Sequence, residues 1–128
     1  MTDTPTEGRV TFDRHLGLET KRTDSGSEVR LDVKAHAHNR GGIVHGGVIC
    51  ALVDQAIGAA VGYALGKGRR AVTVELKVNF LAAASDGTLI ANGRLIREGK
   101  HLMVGEAEVL DMQGRLIAKG LGTWMIVE

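Results

Sequence analysis

The feature that most constrains how this chain can fold is a run of small apolar residues from Gly46 to Leu65, interrupted only by Asp54 and Gln55. Its length predicts one long helix, and the glycines at positions 66 and 68 are a typical helix stop. A helix that is apolar all round is expected to be buried on all sides. A carboxylate at its centre then carries a desolvation cost, which indicates that Asp54 has a function.

The rest of the chain predicts short strands joined by glycine-containing turns. The clearest strand is Val72–Phe80, in which apolar and polar residues alternate. Three more strands are predicted at Thr88–Arg97, Leu102–Leu110 and Leu116–Val127, and together the four should form an antiparallel meander. Two earlier strands are predicted at His15–Thr23 and Glu28–Lys34.

One apolar helix and one sheet of about six strands can cover each other only if the sheet curls around the helix. The predicted fold class is therefore α+β, with one long central helix wrapped by a curved antiparallel sheet. Residues 1–10 are predicted to be a disordered tail and residues 11–128 a single domain.

Charge and targeting signals narrow the function classes. Sixteen Lys and Arg residues against fifteen Asp and Glu give a net charge of +1, which offers no electrostatic case for binding nucleic acid or an anionic membrane. The single Cys50 excludes an internal disulfide. The first ten residues lack the apolar core of a signal peptide, so a cytoplasmic protein is expected. The run with Asp54 at its centre is interpreted as a core helix rather than a membrane span.

The start of the helix carries a second chemical signal. Gly46 and Gly47 follow His45 and should leave backbone N–H groups unpaired where the helix dipole favours negative charge. Such donors and a carboxylate are two parts of an acyl-transfer site. Gly46 and Asp54 are eight residues apart, or about 12 Å along a helix, so one carbonyl group cannot touch both. A working site should therefore combine the helix start of one chain with Asp54 of another, which requires at least a dimer.

The combination of Asn39, the sequence His45-Gly46-Gly47, Asp54, a glycine-bearing helix and valine-rich strands resembles the hotdog-fold acyl-CoA thioesterases. The resemblance is strongest to the phenylacetyl-CoA, or PaaI-type, branch, and it covers about residues 12–127 in the order of elements. It implies hydrolysis of an aryl, arylacetyl or medium-chain acyl-CoA to the free acid and CoA. It also implies a homo-oligomer with no cofactor: a dimer at minimum, and a homotetramer built as a dimer of dimers.

The resemblance also implies roles for individual residues. Asp54 would be the nucleophile or general base, the N–H of Gly46 would polarise the thioester carbonyl, and the amide of Asn39 would assist. A hydroxyl residue on the strand after the helix would help to hold the water, and Thr73 matches that position. Strict alternation, however, places Thr73 on the face opposite the apolar residues, so the two expectations disagree.

Other residues are expected to bind substrate rather than to react. His45 should orient the loop before the helix, and Gly47 is expected to contact the substrate. Arg70 and Lys100 lie in predicted loops and could contact the phosphates of CoA. His36, His38 and His45 could be taken for metal ligands, but no carboxylate or Cys completes the set, so no metal site is expected.

Two other function classes remain open beside hydrolysis. A non-catalytic acyl-CoA-binding hotdog domain would not need the acid, and Asp54 argues against it. A hotdog dehydratase or hydratase needs a His and an acid placed to remove a proton beside the carbonyl, whereas here the acid lies mid-helix and His45 lies before the helix. Asp54 could also be a structural acid held by polar neighbours. The sequence does not distinguish a covalent anhydride from direct attack by water.

Overall fold

The computed structural model describes residues 10–127, so most of the predicted N-terminal tail lies outside the described residues. Two helices and six strands follow one another along the chain, with a short 3₁₀ helix at Ala35–Ala37. They are α1 (Phe12–Leu16), β1 (Glu19–Thr23), β2 (Gly26–Asp32), α2 (Gly46–Leu65), β3 (Arg70–Phe80), β4 (Thr88–Glu98), β5 (Leu102–Asp111) and β6 (Leu116–Val127). The helix α2 has the predicted bounds, and the predicted fold class is confirmed: one long helix lies against a six-stranded antiparallel sheet.

The order of the strands corrects one prediction. The sheet runs β1-β2-β4-β5-β6-β3, so β4, β5 and β6 form a meander, but β3 pairs with β6 at the far edge. The predicted four-stranded meander was therefore wrong. The connection of residues 81–87 explains the order, because it crosses from one edge of the sheet towards the other. The N–H of Leu81 donates to the carbonyl of Ile117 on β6, and the carbonyl of Gly87 accepts from Val33 beyond β2.

The first predicted strand was also placed too early. Residues from Phe12 to Leu16 form α1, which ends where Gly17 adopts a positive φ of 82°. Because left-handed backbone favours glycine, Gly17 terminates the helix, and the strand starts only at Glu19. The second strand begins and ends two residues earlier than predicted, at Gly26 and Asp32.

The helix α2 buries one face rather than its whole circumference. Its buried residues recur at the spacing of a single helix face, and all but Ala60 belong to the hydrophobic core: Val48, Ile49, Leu52, Val53, Ala56, Ile57, Ala60 and Val61. On the opposite side Gly47 and Gly62 are exposed, and Asp54 and Gln55 are only half-buried. The expectation of burial on all sides is therefore wrong for a single chain. By length and composition α2 could span a membrane, but its buried face here is the core of the fold.

The backbone of the helix approaches the sheet closely at Ala56, two residues after Asp54. A Cβ added to Gly93 on β4 would lie 2.3 Å from the Ala56 carbonyl oxygen, so only glycine fits there. The hydroxyl of Ser27, which is 1% exposed, donates to the same oxygen at 2.5 Å. This buried hydrogen bond satisfies both polar groups and fixes the helix against β2 and β4 next to the candidate acid.

Candidate active site

The start of α2 is organised by His45. The Nδ1 atom of His45 accepts a hydrogen bond from the N–H of Gly47 at 2.8 Å, and its backbone carbonyl accepts from Val48. His45 is therefore the N-cap of the helix, and its neutral ring carries the proton on Nε2. The N–H of Gly46 has no acceptor among residues 10–127. The sequence predicted two unpaired donors, and the structure leaves one, because His45 occupies the N–H of Gly47.

Asn39 closes the loop that leads to the helix. Its Oδ1 atom accepts from the N–H of Gly41 at 2.8 Å and from that of Ile43 at 3.3 Å. Its backbone N–H donates to the carbonyl of Ile43 at 2.8 Å. Since the side-chain oxygen is already used by the loop, the part of Asn39 that can act on a ligand is its NH₂ group.

Asn39 and Gly46 open onto the same cavity, which has a volume of about 390 Å³. Among residues 10–127, Asn39 contributes the only polar side chain in its lining. The apolar part is formed by Ile43, Val44, Ile49, Phe80, Leu81, Ala82, Ala83, Ala84 and Ile117. A cavity of this size lined by apolar groups, with one amide and one backbone donor at its edge, has the make-up of a small-molecule site.

The ring of Phe80 packs against the helix start. A Cβ on Gly46 would lie 3.5 Å from two carbon atoms of that ring, so a side chain at position 46 would come into contact with it. Sequence analysis did not single out Phe80 or the alanines of residues 82–84. The alternation in β3 was a usable signal for Phe80, because it marks the end of the apolar face. The alanines lie in an irregular connection that carries no periodicity.

Asp54 does not line this cavity, but it has a defined partner. The hydroxyl of Thr73 on β3 donates to Oδ1 of Asp54 at 2.8 Å. Asp54 is half-buried and lies on the face of α2 that the sheet of its own chain leaves partly open. The structure thus divides the predicted residues into two groups. Asn39, His45 and the two glycines lie together at the helix start, and Asp54 lies with Thr73 farther along.

A β-bulge explains how Thr73 reaches the helix. Thr73 pairs with Trp124 on β6, whereas the next paired residue is Glu75, opposite Thr123, so Val74 is the extra residue. The bulge reverses the alternation, and Thr73 before it therefore shares the helix-facing side with Leu76 after it. Leu76 packs against the core while the Thr73 hydroxyl bonds to Asp54 on the helix. The orientation implied by the family resemblance is correct, and the one implied by strict alternation is wrong.

The two candidate cations lie at the other end of the sheet. Arg70 is the first residue of β3, and Phe80, next to the cavity, is the last. Ten residues of extended strand place them about 30 Å apart. Lys100 lies in the turn before β5, at the same end as Arg70, since the neighbouring His101 carbonyl accepts from Ile126 near the end of β6. Neither cation can therefore contact a thioester held in the cavity of its own chain.

The other potentially reactive side chains, Cys50, His36 and His38, are poorer candidates for a catalytic role. Burial raises the pKa of the Cys50 thiol, which keeps it protonated at neutral pH and makes it a poor nucleophile. The Nε2 atom of His36 contacts the carbonyl of His15, and the Nε2 atom of His38 contacts the carbonyl of Ser85. These two rings are therefore tied to the backbone at separate places.

Comparisons with known proteins identify the family. Residues 41–118 match the family model of the Thioesterase superfamily. A Saccharolobus solfataricus protein, SSO1253, which is provisionally named an esterase, is 38% identical over 112 residues; the match covers 87% of this chain and 74% of that protein.

Two solved structures show the same fold. The BH2602 protein from Bacillus halodurans, crystallised with CoA, is 28% identical and superposes with a TM-score of 0.88 over 95% of this chain and 82% of that one. The Escherichia coli PaaI protein, from the phenylacetic acid degradation operon, is 26% identical, with a TM-score of 0.82 over 91% of this chain and 83% of that one. This chain therefore belongs to the thioesterase superfamily and is a hotdog-fold thioester hydrolase.

Proposed function

We propose that this protein hydrolyses an aryl, arylacetyl or medium-chain acyl-CoA to the free acid and CoA. The observation that carries the proposal is the unpaired N–H of Gly46, which opens with the Asn39 amide onto an apolar cavity of about 390 Å³. The CoA present with the Bacillus halodurans relative supports a CoA ester as substrate, and the operon of PaaI supports an arylacetyl group. The cavity suits an uncharged acyl group, because the described part of the chain contributes no charged side chain to its lining.

In the proposed reaction the thioester carbonyl lies at the helix start. The Gly46 N–H donates to the carbonyl oxygen, and the helix dipole stabilises the negative charge that develops there during attack. The NH₂ group of Asn39 is a second donor beside it. Loss of one such donor typically raises the barrier by about 2.7–4 kcal/mol. His45 contributes by capping the helix and fixing Gly47, so that the unpaired N–H keeps its direction.

Asp54 supplies the attack in one of two ways. As a general base it takes a proton from water, the resulting hydroxide adds to the carbonyl carbon, and the CoA thiolate leaves. As a nucleophile it adds to the carbonyl carbon itself and expels the thiolate, and water then cleaves the anhydride. In both routes the bond from Thr73 fixes the carboxylate, leaving its second oxygen for the reaction.

The proposed site is shared between two chains. Helix geometry keeps Gly46 and Asp54 of one chain about 12 Å apart, so we assign the attacking carboxylate to the partner's copy. The open side of α2 gives Asp54 access to a second chain. The edge strand β3 also exposes Val72 and Val74 at 46% and 51%, and an apolar free edge favours coverage by another subunit. In the proposed dimer, or a tetramer built from two dimers, Arg70 and Lys100 would contact the CoA phosphates of a substrate in the partner's cavity.

Hydrolysis of a panel of acyl-CoA esters, followed by release of free thiol, tests the proposal. Asp54→Asn should lower kcat at least about a hundredfold, the scale of a lost base or nucleophile. Asp32 provides a matched control, because it also accepts a threonine hydroxyl bond, from Thr88 at 2.7 Å, but neither residue lines the cavity or bonds to Asp54. Asp32→Asn should keep wild-type kcat. Retention of more than about a tenth of kcat by Asp54→Asn would remove Asp54 from the chemistry.

Complementation tests whether the site is shared. Asp54→Asn chains are mixed with Gly46→Pro chains, which lack the N–H donor. In a two-fold symmetric dimer a mixed pair contains one site with both lesions and one with neither. With random exchange, about half of the dimers are mixed, so about a quarter of wild-type activity should return. No recovery between folded chains that demonstrably exchange would mean that each chain builds its own site.

A further inference from the structure

One wall of the cavity is an irregular segment, residues 81–84, that belongs to neither a helix nor a strand. Its two ends are held by backbone hydrogen bonds. The N–H of Leu81 donates to the Ile117 carbonyl at 2.8 Å, and the carbonyl of Ala84 accepts from the N–H of Val44 at 2.7 Å. The wall is thus attached to β6 at one end and to the loop before α2 at the other.

A side chain holds the middle of this wall. The Nη2 atom of Arg115 donates to the carbonyl of Ala83 at 2.8 Å, and its Nε donates to Oδ2 of Asp111 at 3.1 Å. Asp111 is itself fixed, because its Oδ1 accepts from the backbone N–H groups of Gln113 and Arg115 at 3.0 and 2.8 Å. The planar guanidinium therefore links a rigid turn between β5 and β6 to the wall of the cavity.

We propose that Arg115 is a positioning residue that sets acyl-group selectivity by holding residues 81–84 against the cavity, an inference that rests on the function proposed above. Without Arg115 no donor within residues 10–127 bonds to the carbonyl of Ala83, and the wall can move between its two backbone anchors. A bulky acyl group contacts the wall and loses complementarity when the wall moves. A short acyl group leaves that part of the cavity empty and is affected less.

A competing role for Arg115 makes a different prediction. The side chain is 58% exposed, so its charge could instead attract the phosphates of CoA. All acyl-CoA esters share those phosphates, so such a role would change KM by the same factor for every acyl group. It would also be kept by lysine, which carries the same charge. The proposed clamp uses two separate nitrogen atoms of a planar guanidinium, Nε on Asp111 and Nη2 on the Ala83 carbonyl. Lysine has only one nitrogen, on a flexible chain, and does not reproduce that fixed geometry.

The test compares kcat/KM for butanoyl-CoA, octanoyl-CoA and phenylacetyl-CoA in the wild type and in variants at Arg115. In Arg115→Gln the preference for phenylacetyl-CoA over butanoyl-CoA should fall about fivefold, the size of one net hydrogen bond. In Arg115→Lys the same preference should also fall, to half of the wild-type value or less. Arg94→Gln is the matched control, since Arg94 also binds a carboxylate, Glu106 at 2.9 Å, but away from the cavity. It should keep the wild-type preference.

Three outcomes would overturn the inference. A uniform rise in KM for all three esters, with normal behaviour of Arg115→Lys, would assign Arg115 to the CoA phosphates. A lower thermal midpoint of Arg115→Gln with an unchanged preference would make the clamp purely structural. A wild-type protein that hydrolyses none of the esters would refute the proposed function itself, and that result is visible before any variant is measured.

Discussion

The hydrogen bond between Thr73 and Asp54 gives the sharpest test of how the acid works. Thr73→Val replaces the hydroxyl by a methyl group of nearly the same shape, so the change removes the donor and little else. If the bond fixes the carboxylate for attack, kcat should fall while KM changes little, because the loss affects the transition state more than substrate binding.

The structure sets the expected size of this effect. The bond is 2.8 Å long, and a hydrogen bond to a charged group contributes about 1.5–3 kcal/mol. Asp54 is only half-buried and Thr73 is exposed in the single chain, so the lower end of that range applies. A loss of about 1.4 kcal/mol corresponds to a kcat about tenfold below wild type.

Thr73→Ser provides the control, because it keeps the hydroxyl and removes only the methyl group. Steady-state hydrolysis with a thiol readout should place Thr73→Ser within about threefold of wild-type kcat, less than the loss expected for a hydrogen bond to a charged group. The reasoning is refuted if Thr73→Val keeps more than half of the activity. It is equally refuted if the serine variant falls as far as the valine variant, since the lost hydroxyl would then not be the cause.

Three further predictions concern the site loop, the packing of the helix and the turn that anchors the cavity wall. Asn39→Ala should lower kcat more than it raises KM in steady-state assays, and a change in KM alone would make Asn39 a binding residue. Gly93→Ala should lower the free energy of unfolding by about 3 kcal/mol in urea titrations, because the new Cβ would lie 2.3 Å from the helix backbone. Gly62→Ala is the control: position 62 has open space around it, so the alanine should raise the free energy of unfolding by about 0.5–1 kcal/mol. The backbone N–H of Arg115, and to a lesser extent its side chain, bond to the Asp111 carboxylate and hold the pKa of Asp111 below its ordinary value. The ionised carboxylate therefore stabilises the fold above about pH 4, and this contribution is lost as the pH falls through the lowered pKa. Asp111→Asn should therefore lower the urea midpoint at pH 7, and its difference from wild type should shrink at pH 3; an equal difference at both values would contradict this.

The sequence was sufficient for the long helix and for the architecture around it. The apolar run predicted α2 with its observed bounds, and the need to cover it predicted a curved sheet. The position of β3 could not be predicted in the same way. Short turns predict that consecutive strands pair with each other. The pairing of β3 with β6 depends instead on the connection of residues 81–87, whose course is fixed by contacts with distant parts of the chain.

The residues of the candidate site also fall into those that the sequence predicted and those that it did not. Asn39, Gly46 and Asp54 were proposed from their types and spacing, because the chemistry of acyl transfer depends on such groups. The lining of the cavity was not found, since Ala83 and its neighbours have neither periodicity nor reactive groups. Arg115 was missed for a related reason: the role proposed for it depends on the backbone carbonyl that it contacts, and a sequence does not show backbone contacts.

The bulge at Val74 shows most directly why the site needed a structure. A strand whose sequence alternates without a break gives no sign of an inserted residue, and strict alternation directs Thr73 away from α2. One extra residue reverses that direction and lets β3 present a hydroxyl to Asp54 and apolar side chains to the core on the same face. The bulge leaves Val74 unpaired, and it lets one strand contribute both to core packing and to the proposed chemistry. This combination connects the fold to the proposed reaction, because the partner of the acid comes from the sheet that wraps the helix.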